Sequence, residues 1–165
     1  MDDFIHSQGL IWLPHILRRL ADHFVQACDA VFPEYGIVVP PRAVSTVHLL
    51  HEGGPRAVTD IAATIGQSHP QIIKWIKRLK ELKLVQTRLD PADRRRTLVS
   101  LTPAGRRQAK LLLEARSSFI AAYEKLLGEA NAQVFEQLWR VEGALKESAF
   151  ADRIMVERTK ERGGQ

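Results

Sequence analysis

Between Val58 and Gly105 the spacing of apolar residues changes its period once, from helical to strand-like. From Val58 to Ile65 it is helical, with Ile61, Ala62 and Ile65 on one face. From Ile72 to Leu82 it is helical again, and Ile72, Trp75, Ile76, Leu79 and Leu82 form one stripe. Val85–Leu89 and Thr97–Leu101 are then short runs rich in β-branched and apolar residues, the pattern of strands. The stretch therefore predicts helix, tight turn, helix and a two-stranded hairpin. Its punctuation agrees. Gly66 stands where a left-handed C-terminal cap wants no Cβ. Ser68 and Gln71 have the spacing of a capping box, and Pro70 falls in the first turn, where no N–H is needed. Thr102 and Pro103 open the next helix as cap and first residue. Two short helices crossing steeply need a small residue at the contact and apolar wedges around it. Ala62 supplies the first, and Ile61, Ile65, Ile72 and Trp75 the second. The result is a helix-turn-helix, with Gln67 at a turn position that is usually apolar.

On either side the pattern is helical. From Ser7 to Phe32, residues Leu10, Leu13, Leu17, Leu20, Phe24, Cys28 and Val31 step by three or four, flanked by Trp12, Ile16 and Val25. This predicts one helix over 7–32, stopped by Pro33-Glu34-Tyr35-Gly36. Another spans about 41–51 and ends at Gly53-Gly54-Pro55. Beyond the hairpin, Pro103 to Leu127 reads as helix broken by Gly128. A last helix from about Asn131 carries Val134, Leu138, Val141 and Leu145, widened by Phe135 and Trp139. After about Ala151 the chain becomes highly charged, and a frayed end is expected. The first and last helices show more apolar surface than a small helix-turn-helix lobe covers, so a homodimer is expected. The fold class is mainly α with a small β-hairpin wing.

Composition narrows the class. The 165 residues are 45% hydrophobic, enough for one domain with a real core. The opening residues lack a basic-then-apolar signal pattern, and no apolar run approaches a membrane span; a cytoplasmic protein with no membrane partner is expected. The single cysteine, Cys28, excludes an intrachain disulfide. Charge adds more. Residues 68–110 hold twelve Lys and Arg against Glu81, Asp90 and Asp93, a net +9 in a chain whose total is +5. Basic charge gathered on a helix-turn-helix and its hairpin is the footprint of a duplex DNA binder.

The hairpin tip carries Asp93-Arg94-Arg95-Arg96. Together with the strand and helix start that follow, DRRRTLVSLTPAG, it resembles the wing of the MarR family of winged helix-turn-helix regulators. The likeness rests on the D-x-R signature of Asp93 and Arg95, the Leu101-Thr102 pair and Gly105. It runs from about Pro41 to Gly105, with looser helical agreement outside. It implies a single MarR-like domain over 1–165, with a DNA-binding lobe at about 41–105 and dimerisation helices at about 7–32 and 106–150. It also implies an obligate dimer, a minor-groove role for Arg95 supported by Asp93, and a small aromatic or phenolic effector bound in a cleft.

The candidate DNA-binding residues are Ser68, His69, Pro70, Gln71, Ile73, Lys74, Lys77, Arg78, Asp93, Arg94, Arg95 and Arg96. Gln71 can pair adenine bidentately and Lys74 can donate to guanine or phosphate, whereas Lys77 and Arg78 suit phosphates. Ile73 is explained by a thymine methyl or equally by core packing. An arginine at the tip can enter a narrow A·T-rich minor groove, and Asp93 can orient it through a carboxylate–guanidinium pair. Candidates for an effector cleft are Trp12, His15, Arg19, His48 and His51, with Arg42 as an anion partner. The pairs His48/His51 and His15/His23 could contribute to a zinc site, but no tight Cys/His cluster is present, and no metal or cofactor is assigned. Cys28, among apolar neighbours, reads as a structural thiol rather than a peroxide sensor. No phosphate loop, nucleophile elbow or paired-carboxylate motif points to an enzyme. A sequence-specific regulator, a ligand-responsive repressor on a near-palindromic operator, is the expected function. The alternatives are a metal- or redox-sensing regulator of the same fold and a winged helix used for protein contacts.

Overall fold

The computed structural model describes residues 3–163. They divide into two compact units, one up to Arg116 and one from Ser117 onwards. The first unit opens with a short helix α1 (Phe4–Ser7), a 3-10 turn (Gly9–Trp12) and helix α2 (Leu13–Val31). The helix expected over 7–32 is thus interrupted. Gly9 takes φ 73°, and Pro14 lies in the first turn of α2, so a helix can begin around it but cannot run through it. Asp3 caps α1, accepting from the Ile5 and His6 N–H groups at 2.8 and 3.2 Å. The expected stop is present as a 3-10 turn over Phe32–Tyr35, closed by Gly36 at φ 66°. Gln108 then clamps the connecting segment: the Val38 N–H donates to its Oε1 at 2.7 Å, and its Nε2 donates to the Gly36 carbonyl at 3.0 Å.

A 3-10 turn (Pro41–Ala43) leads into α3 (Val44–Gly53). The lobe continues with β1 (Arg56–Ala57), α4 (Val58–Ile65), α5 (His69–Glu81), β2 (Val85–Leu89), β3 (Thr97–Leu101) and α6 (Pro103–Glu129). Both hairpin strands lie where their composition puts them, with Val85 opposite Leu101 and Leu89 opposite Thr97. The sheet has a third strand, in the antiparallel order β1-β3-β2. Two residues are too few to show a period, which is why β1 does not read from sequence.

Ile61, Ile72 and Leu79 are fully buried, and Val47, Leu50, Ile76, Leu84, Val99 and Leu101 join them in one core. Trp75, Leu82 and Ile65 are only half-buried, so the buried stripe of α5 is narrower than the apolar spacing suggests. Gly66 caps α4 at φ 71°, its N–H on the Ala62 carbonyl. At the start of α5 the Ser68 N–H and hydroxyl both donate to Gln71 Oε1, at 3.4 and 3.2 Å.

Helix α6 does not break at Gly128. It ends at Glu129, where Asn131 takes φ 48° and the Asn131 and Ala132 N–H groups donate to the Gly128 and Leu127 carbonyls. Asparagine tolerates that left-handed cap, and a single glycine inside a helix lowers stability without stopping it. In the second unit α7 (Val134–Glu147) leaves Phe135, Leu138, Trp139, Val141 and Leu145 exposed. Of the end expected to fray, Phe150–Gly163 form helix α8, and residues 164–165 lie outside the described residues. Good helix formers and a Lys160–Glu157 pair support α8, and Arg153 donates to the Ala144 and Ser148 carbonyls at the end of α7.

Candidate nucleic-acid interface

Helix α5 turns its apolar residues inward, which leaves its other faces to solvent. Ser68, His69, Pro70, Gln71, Ile73, Lys74, Lys77 and Arg78 are all exposed. Several are already engaged. The Gln71 carbonyl oxygen belongs to the capping box, so the bidentate pairing with adenine expected of this residue lacks a free acceptor. Its amide donors remain. Lys74 lies over the Trp75 ring, 5.3 Å from the centroid. Arg78 pairs with Glu81 one turn on, at 3.1 Å. These are surface contacts worth at most about 1 kcal/mol, weak enough to exchange for phosphates.

The wing tip is an ordered turn. The Asp90 N–H donates to the Arg96 carbonyl at 2.9 Å and closes the hairpin, and Asp90 Oδ1 accepts from the Ala92 N–H at 2.9 Å. Asp93 Oδ1 accepts from the Arg95 N–H at 3.0 Å, and its carbonyl from the Arg96 N–H at 2.9 Å. The expected carboxylate–guanidinium pair between Asp93 and Arg95 is therefore replaced by a side-chain-to-backbone turn. An aspartate two residues before an N–H closes such a ring locally, ahead of any contact with a long, mobile guanidinium. Asp93 shapes the loop and leaves the Arg95 head exposed.

Arg96 behaves differently from its neighbours. Its Nη2 donates to Asp60 Oδ2 on α4 at 2.5 Å, with both side chains nearly half exposed. Nothing local in the sequence marks Asp60, because 36 residues separate the partners. Lys80 makes a second tie, its Nζ donating to Thr87 Oγ1 on β2 at 3.2 Å. The hairpin is thus joined to both helices of the helix-turn-helix. Arg94 and Arg95 project beyond these ties.

Residues 42–105 match a family model described as a winged helix DNA-binding domain. Solved structures extend the match to most of the chain. A probable transcriptional regulator from Pseudomonas aeruginosa is 26% identical, with a TM-score of 0.58 over 86% of this chain and 98% of its own. Residues 42–105 thus form a winged-helix lobe. The family description names DNA binding, and the Pseudomonas aeruginosa relative is a probable transcriptional regulator. Reduced AbfR, solved bound to DNA, is 21% identical with a TM-score of 0.61, over 87% of this chain and 98% of its own. BpsR of Bordetella bronchiseptica is 20% identical with a TM-score of 0.51, over 93% and 98%. Its DNA binding is regulated by 6-hydroxynicotinic acid. No curated protein matches the sequence.

The effector candidates scatter. Trp12 and Arg19 line a cavity of about 570 Å³ with Ile5, Leu10, Leu13 and Ile16. Arg19 there pairs with Asp3 at 2.7 Å, and this contact, with the His6 and Ile5 N–H groups, holds the Asp3 carboxyl below the usual carboxylate range. His15 and Arg19 border a smaller cavity along α2 that also takes in His23. Arg42, expected as an anion partner, is paired with Asp22 and lines neither cavity. His48 and His51 line neither cavity, and His48 Nε2 sits 3.1 Å from Glu52. Among the described residues no three His, Cys, Asp or Glu side chains gather as a metal site. Burial and the neighbouring Asp29 push the Cys28 thiol up, the direction of an unreactive cysteine. No helix among the described residues is long and apolar enough to cross a membrane.

Proposed function

We propose that the protein is a sequence-specific DNA-binding regulator, a ligand-responsive repressor acting in the cytoplasm as a homodimer on a near-palindromic operator. The observation that carries this reading is the exposed basic surface of α5 continued by Arg94 and Arg95 on a wing tied to the same lobe. In it, α5 enters the major groove, with Gln71, Ile73 and Lys74 toward bases and Lys77 and Arg78 toward phosphates. The wing lays Arg95 into the adjacent minor groove. Ser68, His69 and Pro70 bring the helix start close to the backbone. The exposed stripe Leu138, Trp139, Val141 and Leu145 of α7 supplies apolar surface for a second copy, and a two-fold dimer matches an inverted repeat. For the effector, the cavity beside Trp12 suits a small aromatic acid, whose carboxylate would take Arg19 from Asp3. The effect of 6-hydroxynicotinic acid on BpsR supports that class of ligand.

Duplexes selected from a random library by the full-length protein test this reading through the salt dependence of their affinity. A log-linear loss, with a slope of about −0.9 for each phosphate neutralised, and preference over scrambled duplex are expected. No selection and a flat salt response would leave the winged helix as a protein-interaction module. Sedimentation equilibrium tests the dimer. Leu138→Asp should leave aggregated or unfolded chain, and a well-folded monomer at micromolar concentration would refute that interface.

A further inference from the structure

Ile73 is 50% exposed, so core packing does not account for it. The buried stripe of α5 is Ile72, Ile76 and Leu79, and position 73 is turned about 100° from Ile72 on a helix of 3.6 residues per turn. One turn to either side on its own face stand His69 and Lys77, both exposed and polar. A stiff β-branched apolar group thus projects from the middle of a basic helix face. In the major groove the apolar group that a side chain can meet is the C5 methyl of thymine.

The state of Gln71 gives that contact a purpose. An A·T pair is ordinarily distinguished by an amide that both accepts from adenine N6 and donates to N7. Here the amide oxygen accepts from the Ser68 N–H and hydroxyl, which leaves only donors. Lys74, Lys77 and Arg78 are donors as well. With the amide acceptor engaged in the cap, the thymine methyl is a mark of an A·T pair that this face can meet without giving up the Ser68 contacts. Resting on the DNA-binding reading above, we propose that Ile73 reads the C5 methyl of one thymine in each operator half-site. β-branching restricts χ1, so the side chain is held in place before the DNA arrives.

The experiment takes the duplex selected by the full-length protein and replaces each dT by dU, symmetrically in both half-sites. This removes one methyl and leaves every hydrogen-bonding group unchanged. One thymine per half-site should respond, with affinity falling about fourfold for each methyl lost, the worth of one buried CH₂. Ile73→Ala should bind dT and dU duplexes equally at that position, and Ile73→Val should retain most of the discrimination. Thermal melting of both variants should match the parent. dU should have no effect in the A·T flanks read through the minor groove, where the methyl does not project. Insensitivity of the parent protein to dU at every position would overturn the assignment. So would dU sensitivity that persists in Ile73→Ala. A library that yields no enriched duplex would overturn the DNA-binding reading itself and this inference with it.

Discussion

Gly105 lies so close to the Leu84 carbonyl that a Cβ on it would stand 2.0 Å from that oxygen. Around the contact, Thr102 donates its N–H to the Leu84 carbonyl at 2.9 Å and its hydroxyl to the Lys83 carbonyl at 2.7 Å. The same hydroxyl accepts from the Gly105 N–H at 3.0 Å and so caps α6. Thr102 and Gly105 thereby hold the start of α6 against the turn between α5 and β2.

Gly105→Ala should be among the more damaging substitutions in the lobe. The obstacle is backbone, which cannot swing aside as a side chain does, so a loss of about 3 kcal/mol is expected. Chemical denaturation of the full chain measures it, and a loss below about 0.5 kcal/mol would show that α6 moves freely against β2.

The turn at the wing tip predicts opposite outcomes for two similar substitutions. Asp93→Asn keeps an oxygen for the Arg95 N–H and removes one negative charge, so operator binding should hold or tighten. Asp93→Ala removes the same charge but also the acceptor, and should weaken binding because the loop must be ordered when DNA is bound. Equal tightening by both variants in a fluorescence titration at fixed salt would reduce Asp93 to a bystander charge.

Arg95 and Arg96 should prove unequal. Arg95→Ala should cost more affinity and lower the salt slope by about 1, since its head group is free for the minor groove. Arg96→Ala should leave that slope closer to the parent's, because Arg96 is held by Asp60. A double-mutant cycle on Asp60 and Arg96 should return the modest coupling of an exposed pair, about 0.2–1 kcal/mol.

Gln71→Glu separates capping from DNA binding. A carboxylate can still accept from Ser68 and suits a helix N-terminus, so the melting temperature should hold. The amide donors vanish and a negative charge faces phosphates, so affinity should fall at least tenfold. Gln71→Ala, by comparison, should also lose about 0.5–1 kcal/mol of stability with the cap. Unchanged affinity in Gln71→Glu would remove the residue from the interface.

Cys28 has a pH signature. Its thiol is raised by burial first and by Asp29 second, so the folded chain favours the protonated form. Alkylation by iodoacetamide requires the thiolate. At pH 7–8 it should run slower than for a free cysteine, with the rate still rising above the ordinary cysteine pKa of about 8.5. Labelling faster than the free amino acid would reopen a redox role.

Local rules made much of the lobe legible in the sequence. The helix pair, the Gly66 cap, the Ser68–Gln71 box and both hairpin strands follow from period, propensity and turn chemistry, which act within a few residues. The exposed candidates on α5 were legible for the same reason, since burying Ile72, Ile76 and Leu79 leaves the other faces outward. Tertiary structure decided what side chains do once distant segments meet. Asp60 finds Arg96 across 36 residues, Arg42 finds Asp22 across 20, and β1 exists only because β3 offers it an edge. The role of Asp93 lay between these cases, because an acidic residue beside three arginines suggests an ion pair while the nearer backbone N–H wins by proximity. The continuation of α6 past Gly128 and the helical form of residues 150–163 are also decided beyond the local sequence. A lone glycine lowers helix stability by only about 1 kcal/mol, and whether a helix persists depends also on donors such as the Asn131 N–H and the Arg153 guanidinium, which reach carbonyls at the helix ends.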